Sequence, residues 1–303
     1  MISIVLPDDE LRHRLGARLG DARVQVWAPN SSDPLIGPID LLVLPYMIAP
    51  RELRHLRGLP ISMVQSQTLG YDGVSETLPS GIRYCNATDV HEGSTAELTV
   101  GLILAAQRGI PDAVRDADRG VWEHRRHPGL ADKRVVLVGV GGVGAEIRRR
   151  IAPFGAHLDL VARTPRAGVH GVDRLPELLS HADIVIIAVP LTDDTRRFID
   201  SRFLAAMRDG ALLVNVSRGE IVDTEALVGE LQEARLRAAL DVTDPEPLPA
   251  DHPLWRLPGV LITPHAGGDT DAMDARVDGL ILEQVRRLRA GEAPLNLVYD
   301  AAG

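Results

Sequence analysis

Positive charge and aromatic rings are both scarce in this chain. Lys and Arg number 33 against 42 Asp and Glu, leaving a net charge of −9, and aromatic residues make up 3%. Such a surface repels a phosphate backbone and offers few rings for nucleobases to stack on, so nucleic acid is excluded as the natural partner. A single cysteine, Cys85, excludes an internal disulfide. No apolar run reaches the roughly 18–20 residues of a membrane helix. The longest, Leu98–Ala106, is interrupted by Thr99 and Gly101. The opening Met-Ile-Ser-Ile-Val-Leu-Pro-Asp-Asp-Glu has no basic n-region and resembles a first strand, not a signal peptide. The ten histidines show no H-x-x-x-H or Cys/His spacing, so no metal site is expected, and His124 and His127 in an arginine-rich loop are expected to be solvated. These absences point to a cytoplasmic globular protein with neither a membrane nor a nucleic-acid partner.

What the chain has is length and apolar periodicity. At 303 residues with 45% hydrophobic content it exceeds one ordinary core, and two domains are expected. Residues 2–6, 24–27, 40–44, 61–65 and 82–85 are short apolar runs, and stretches near 8–19 and 51–57 have helical spacing. That alternation predicts a parallel sheet. Ser94-Thr95-Ala96-Glu97 has the form of a capping box opening an apolar helix through about Arg108, and the domain boundary is placed there.

The second domain is organised around Arg134-Val-Val-Leu-Val-Gly139-Val-Gly141-Gly142-Val143-Gly144. This is a strand, a tight turn and a helix with glycines spaced G-x-G-x-x-G. Gly139 permits the turn, Gly141 lets a pyrophosphate approach the backbone, and Gly144 lets the helix pack close on the strand. Unpaired amides at that helix start attract anionic phosphate. A second strand, His157–Ala162, arrives at the spacing of a βαβ dinucleotide unit. Further strands are predicted at 183–188, 211–216, 236–241 and 260–263, helices near 173–180, 201–208 and 223–234, and a last helix over Asp269–Ala290. The fold class is therefore α/β, with two doubly wound parallel sheets.

Ligands of such sheets sit at the carboxyl ends of the strands. Three predicted strands end in Ser217-Arg218-Gly219, in Asp241-Val-Thr-Asp-Pro-Glu246-Pro and in Pro264-His265-Ala-Gly267-Gly268. Singly, each has a bland explanation as a loop residue. Jointly they bring a guanidinium fork for a carboxylate, a His for exchanging the proton of a carbonyl–alcohol pair, and a carboxylate to orient that His. Beside a nicotinamide these are the parts of hydride transfer to a 2-oxo acid. Ser217 lacks a G-x-S-x-G elbow and is expected to be a backbone and cofactor contact, not a nucleophile.

These motifs, with Ala188-Val-Pro-Leu-Thr192, Asn215–Asp223, Ala239–Leu248 and Ile262–Gly268, resemble the D-isomer-specific 2-hydroxyacid dehydrogenase family over nearly the whole chain. The resemblance implies a Rossmann cofactor domain (94–274) inserted in a smaller flavodoxin-like substrate domain (1–93 completed by 275–303), an active-site cleft between them, and a homodimer built on the cofactor domain. It implies that Arg218 holds the substrate carboxylate, that His265 is the general acid/base, and that Glu246 is its partner. Gln65–Asp72 resembles the family's loop whose amides, here Leu69 and Gly70, also meet the carboxylate. Cofactor contacts are implied for Gly139, Gly141, Gly142, Val143, Gly144, Val189, Pro190, Val216, Ser217, Asp241, His265 and Gly267.

One position departs from the family's NAD-preferring members. They place an Asp at the end of the second strand, where this chain has Ala162 followed by Arg163 and Thr164. The acid that repels a 2′-phosphate is missing, and Arg163 and Thr164 are suited to bind one. That predicts NADP as cofactor in preference to NAD, as in family members reducing glyoxylate or hydroxypyruvate. Asp159, earlier in that strand, is expected to face the surface. The alternatives are an NADH-linked member such as a phosphoglycerate-type dehydrogenase, or a non-catalytic dinucleotide-sensing corepressor. The joint retention of Arg218, Glu246 and His265 argues against the last.

Overall fold

A computed structural model of the chain describes residues 1–29, 31 and 33–300. The chain divides into two units, residues 1–91 with 271–303 and residues 92–270. Residues 301–303 of the expected closing segment lie outside the described residues.

The first unit opens with β1 (Ser3–Leu6), α1 (Asp9–Leu15), β2 (Arg23–Val26), β3 (Leu41–Val43), β4 (Met63–Gln65) and β5 (Arg83–Cys85). Asp8 caps α1 by accepting from the Leu11 amide at 2.8 Å, and Asp9 and Glu10 in the first turn suit the helix dipole. The second unit runs through α2 (Glu92–Arg108), α3 (Ile110–Asp118), β6 (Arg134–Val138), α4 (Gly142–Ile151), β7 (His157–Val161), α5 (Leu175–Leu179), β8 (Ile184–Ile187), α6 (Ser201–Ala206), β9 (Leu212–Asn215), α7 (Thr224–Gln232), β10 (Arg237–Leu240) and β11 (Val260–Ile262). The chain then returns to the first unit with α8 (Ala272–Ala290) and β12 (Leu297–Tyr299).

Each unit holds a six-stranded sheet, ordered β12-β5-β4-β3-β1-β2 and β11-β10-β9-β8-β6-β7. All pairings are parallel except β12 with β5. Both orders reverse beside the unit's first strand, opening a crevice at the carboxyl ends of β1 and β3 and of β6 and β8. Strands covered on both faces read as continuous apolar runs, because their alternate residues feed two cores. In β6, Val136 and Val138 join one cluster while Val135 and Leu137 join the other. In the first unit Ile4 and Leu6 pack with Val277, Ile281 and Val285 of α8, and Val5 packs on the opposite face. Each such side chain stabilises its layer by roughly 1.5–3 kcal/mol.

Four local expectations are corrected. The helix expected to start on the Ser94 cap begins at Glu92, so Ser94 lies in its first turn. Its hydroxyl meets Thr270 Oγ1 at 2.9 Å, and Glu97 faces solvent. The stretch near 51–57 is a 3₁₀ helix, Pro50–Leu56. His127 is half-buried, its ring so close over Gly109 that a Cβ there would lie 2.2 Å from Cε1. The last helix starts at Ala272, three residues later than expected; its Arg286 and Arg287 pair with Glu283, and Arg289 with Asp21. The helix α3 and the antiparallel strand β12 were not expected from the sequence.

Candidate active site

The second unit gathers its polar residues at the carboxyl ends of β9, β10 and β11, where the apolar run of each strand stops. Asn215, the last residue of β9, is buried and bonds on both sides. Its Nδ2 donates to the Arg218 carbonyl at 2.9 Å, and its Oδ1 accepts the Ser217 amide at 3.1 Å. That clamp fixes the backbone carrying Arg218, whose Nη1 also donates to the Ser217 carbonyl at 2.7 Å. Ser217 Oγ donates to the Ile187 carbonyl at 2.8 Å and accepts the Val189 amide at 3.1 Å, tying β9 to the end of β8. A Cβ at Gly219 would stand 1.9 Å from the Thr243 carbonyl oxygen, so only glycine lets the two loops touch.

Asp241, the residue after β10, is 2% exposed. Its carboxylate accepts from Thr263 Oγ1 at 2.6 Å and from the amides of Ala266 and Gly267, each at 2.9 Å. Its backbone carbonyl takes the His265 amide at 2.7 Å. His265 sits in the left-handed region at φ 52°, a conformation costing a non-glycine residue roughly 1 kcal/mol that this bonding holds in place. The imidazole Nδ1 lies 2.6 Å from Glu246 Oε1. Partial burial pushes the Glu246 carboxyl up, but the hydrogen bond and charge of His265, a Thr243 backbone donor and the Arg218 guanidinium together hold it below the ordinary carboxylate range. An ionised Glu246 can only accept, so Nδ1 carries the hydrogen and Nε2 is left for exchange. Nε2 has no intramolecular partner among the described residues.

The glycine-rich turn lies between β6 and α4. Gly139 has φ 104°, and a Cβ there would be 2.1 Å from the Ala188 carbonyl oxygen; at Gly144 it would be 2.1 Å from the Gly139 oxygen. Gly141 caps α4 and has open space around it. Gly142 is exposed and Val143 half-buried in the first turn of α4. Val189 and Pro190 follow β8, Val216 and Ser217 follow β9, and Gly267 closes the His265 loop. A dinucleotide fits here, because the turn is held by contacts that only glycine allows while Gly141 leaves its approach open. After β7, Arg163 is 86% exposed and its nearest acid is Asp194 at 4.0 Å; Thr164 is exposed beside it. Asp159 lies 3.6 Å from His170 Nε2.

The model of the NAD binding domain of D-isomer specific 2-hydroxyacid dehydrogenases matches residues 100–267. The chain belongs to that family. Among curated relatives, a glyoxylate reductase/hydroxypyruvate reductase of Homo sapiens is 31% identical over 275 residues, 84% of each chain. A D-3-phosphoglycerate dehydrogenase of Methanocaldococcus jannaschii is 36% identical over 236 residues, 74% of this chain but 44% of that one, so the chain spans less than half of that relative's length. Among solved structures, a D-isomer specific 2-hydroxyacid dehydrogenase of Xanthobacter autotrophicus Py2 in complex with NADPH and MES has a TM-score of 0.82 at 28% identity, covering 98% of each chain.

In this family member the second unit is the nicotinamide-dinucleotide domain, and Arg218, Glu246 and His265 share one of its edges. Leu69 and Gly70 lie in the first unit, in the loop after β4. Asn215 and Thr263 were missed as positioning residues. Their signal is a polar residue closing an otherwise apolar strand, Leu-Leu-Val-Asn and Val-Leu-Ile-Thr. Among the described residues no helix is long and apolar enough to cross a membrane, and no group of three His, Cys, Asp or Glu could hold a metal.

Proposed function

We propose that this dehydrogenase reduces a small 2-oxo acid of the glyoxylate or hydroxypyruvate type to the D-2-hydroxy acid, with NADPH favoured over NADH. The observation that carries the reading is the 2.6 Å contact of His265 Nδ1 with Glu246, on the strand-end edge that also bears Arg218. The bound nicotinamide supplies the hydride. Arg218 grips the planar carboxylate through two parallel N–H bonds, and the amides of Leu69 and Gly70 are further donors to it. His265 gives the proton from Nε2 to the carbonyl oxygen as that oxygen gains charge, and takes it back in the oxidative direction. Glu246 stays ionised and stabilises the protonated imidazole.

Gly139, Gly141, Gly142, Val143 and Gly144 receive the pyrophosphate at the start of α4, and Arg163 with Thr164 receives the 2′-phosphate. The NADPH complex of the Xanthobacter relative supports that cofactor. Asp194 at 4.0 Å from Arg163 favours a second reading, an NADH-linked phosphoglycerate-type enzyme, because its charge opposes a phosphate there. We further propose a homodimer built on the second unit. Its support is the exposure of Ile110 and Val114, one turn apart on α3, and of Val121 and Trp122 just after that helix, Trp122 being 98% exposed.

The test is oxidation of NADPH and NADH in the presence of glyoxylate, hydroxypyruvate, pyruvate, longer 2-oxo acids and 3-phosphohydroxypyruvate. Turnover of glyoxylate or hydroxypyruvate with NADPH is expected. Turnover of 3-phosphohydroxypyruvate alone, with NADH, supports the second reading, and cofactor binding without turnover of any acid favours a dinucleotide-sensing protein.

A further inference from the structure

The loop after β4 owes its backbone shape to residues far from it in sequence. The Thr68 carbonyl accepts the Ala87 amide at 2.9 Å, and the Leu69 carbonyl accepts Asn86 Nδ2 at 2.8 Å. In a trans peptide the C=O and the following N–H point in opposite directions across one plane. Anchoring the Thr68 and Leu69 carbonyls on residues 86 and 87 therefore turns the Leu69 and Gly70 amides together to the other side. Among the described residues neither amide has an intramolecular acceptor, and both residues are only half-buried. Two adjacent amides aimed the same way form a concavity for an anion.

Asn86 is itself fixed on every side. It is 5% exposed; its Oδ1 accepts Thr88 Oγ1 at 2.9 Å, its amide donates to the Asn296 carbonyl at 3.1 Å, and its carbonyl accepts Gln65 Nε2 at 2.9 Å. Gln65 is fully buried and its Oε1 accepts Gln284 Nε2 of α8 at 2.7 Å. Gln284 in turn accepts the Leu295 amide at 2.9 Å and donates to the Leu295 carbonyl at 3.0 Å. A buried amide network whose donors and acceptors are matched in this way holds one arrangement, because any other leaves a buried polar group unmade.

We infer that Asn86 is a positioning residue for substrate binding: by holding the Leu69 carbonyl it presents the Gly70 amide, with that of Leu69, to the carboxylate of the 2-oxo acid. The inference rests on the proposed reading that these amides receive the carboxylate. Asn86→Asp keeps the side-chain shape and the acceptor for Thr88 but replaces the donor to Leu69 with an oxygen that repels its carbonyl. The expected result is a rise of about tenfold or more in KM for glyoxylate, with a smaller change in kcat and unaltered NADPH binding. A purely structural role would instead lower Tm and leave this split absent. Should Asn86→Asp fail to fold, Asn86→Ser, too short to reach Leu69, takes its place with the same expectation.

Gly70→Pro deletes one amide directly and separates the two ideas. If it raises KM while the Asn86 variants do not, Asn86 has no positioning role and the carboxylate reading stands. If Gly70→Pro folds and leaves KM unchanged, the carboxylate reading fails and the role of Asn86 fails with it.

Discussion

Asp241 holds His265 through the main chain alone: its carbonyl takes the His265 amide at 2.7 Å, while its buried carboxylate takes the two amides that follow. The imidazole is thus aimed by a residue that never touches it. Asp241→Ala deletes the acceptor for Thr263, Ala266 and Gly267 and leaves three donors to find water. A loss of about 2–4 kcal/mol is expected, near 5–10 °C in Tm, accompanied by a drop in kcat. Asp241→Asn, which keeps one acceptor oxygen, is expected to lose about half as much. Thermal unfolding and steady-state kinetics on the same preparations check both.

The Glu246 carboxyl lies below its ordinary value of 4.5 in the folded protein. A depressed carboxyl contributes stability above the unfolded value, and that contribution is lost as pH falls from 4.5 through the folded value. At neutral pH Glu246 is therefore charged and supports a protonated His265. Glu246→Gln removes the anion but keeps an acceptor for Nδ1. In the reducing direction kcat/KM is expected to fall about a hundredfold, and the alkaline limb of its pH profile to move to lower pH. An unmoved limb would show that Glu246 only holds the ring in place.

Arg218→Lys replaces a fork with a point charge. The clamp of Asn215 acts on the backbone at 218 and survives the change, so folding is expected to be retained. One of two charge-assisted bonds to the carboxylate is lost, and kcat/KM for every 2-oxo acid is expected to fall about ten- to a hundredfold. Unchanged kcat/KM would remove Arg218 from the carboxylate site.

The second sheet was legible because Val135–Val138 and Ile184–Ile187 are unbroken apolar runs between glycines and polar turns, the pattern of strands buried on both faces. The positions of Arg218, Glu246 and His265 at one edge followed from the strand-end rule. By contrast α3 was hidden by Gly109-Ile110-Pro111, which reads as a break, although proline is at ease in a first helical turn. The strand β12 is three residues long and antiparallel, too short for periodicity to register. Asn86 and Asp241 act by hydrogen bonds to distant backbone, and a side chain that meets main chain leaves no pattern in the residues it meets.

Two of the glycines of the turn after β6, Gly141 and Gly144, are expected to fail in different ways when changed. At Gly144 an added methyl would lie 2.1 Å from the Gly139 oxygen, a contact with backbone that nothing flexible can relieve. Gly144→Ala is therefore expected to lower Tm. Gly141 has φ −74° and open space, so Gly141→Ala is expected to fold with unchanged Tm. Its methyl would stand where the pyrophosphate approaches, and the Kd for NADPH is expected to rise about tenfold or more. Equal effects of the two substitutions on Tm and Kd would contradict this division of roles.

In the proposed reading, cofactor choice turns on one strand end. Ala162 removes the acid that opposes a 2′-phosphate, and Arg163 adds a cation that is 86% exposed with Asp194 4.0 Å away. Hydrogen bonds from Arg163 and Thr164 to the phosphate are each worth roughly 1.5–3 kcal/mol when partly desolvated. Even the lower figure is about tenfold in affinity. Exposure and salt screening shrink the gain, and Asp194 opposes it, so a preference of about ten- to a hundredfold for NADPH is expected, not an absolute choice. Ala162→Asp combined with Arg163→Ser should move the preference towards NADH, whereas Asp194→Asn alone should sharpen the preference for NADPH. The quantity to measure is the ratio of kcat/KM for NADPH over NADH at fixed and then rising ionic strength. A wild-type ratio below one, or a ratio indifferent to both changes, would make Arg163 a surface residue whose nearest charge is Asp194 and return the enzyme to the NADH-linked branch.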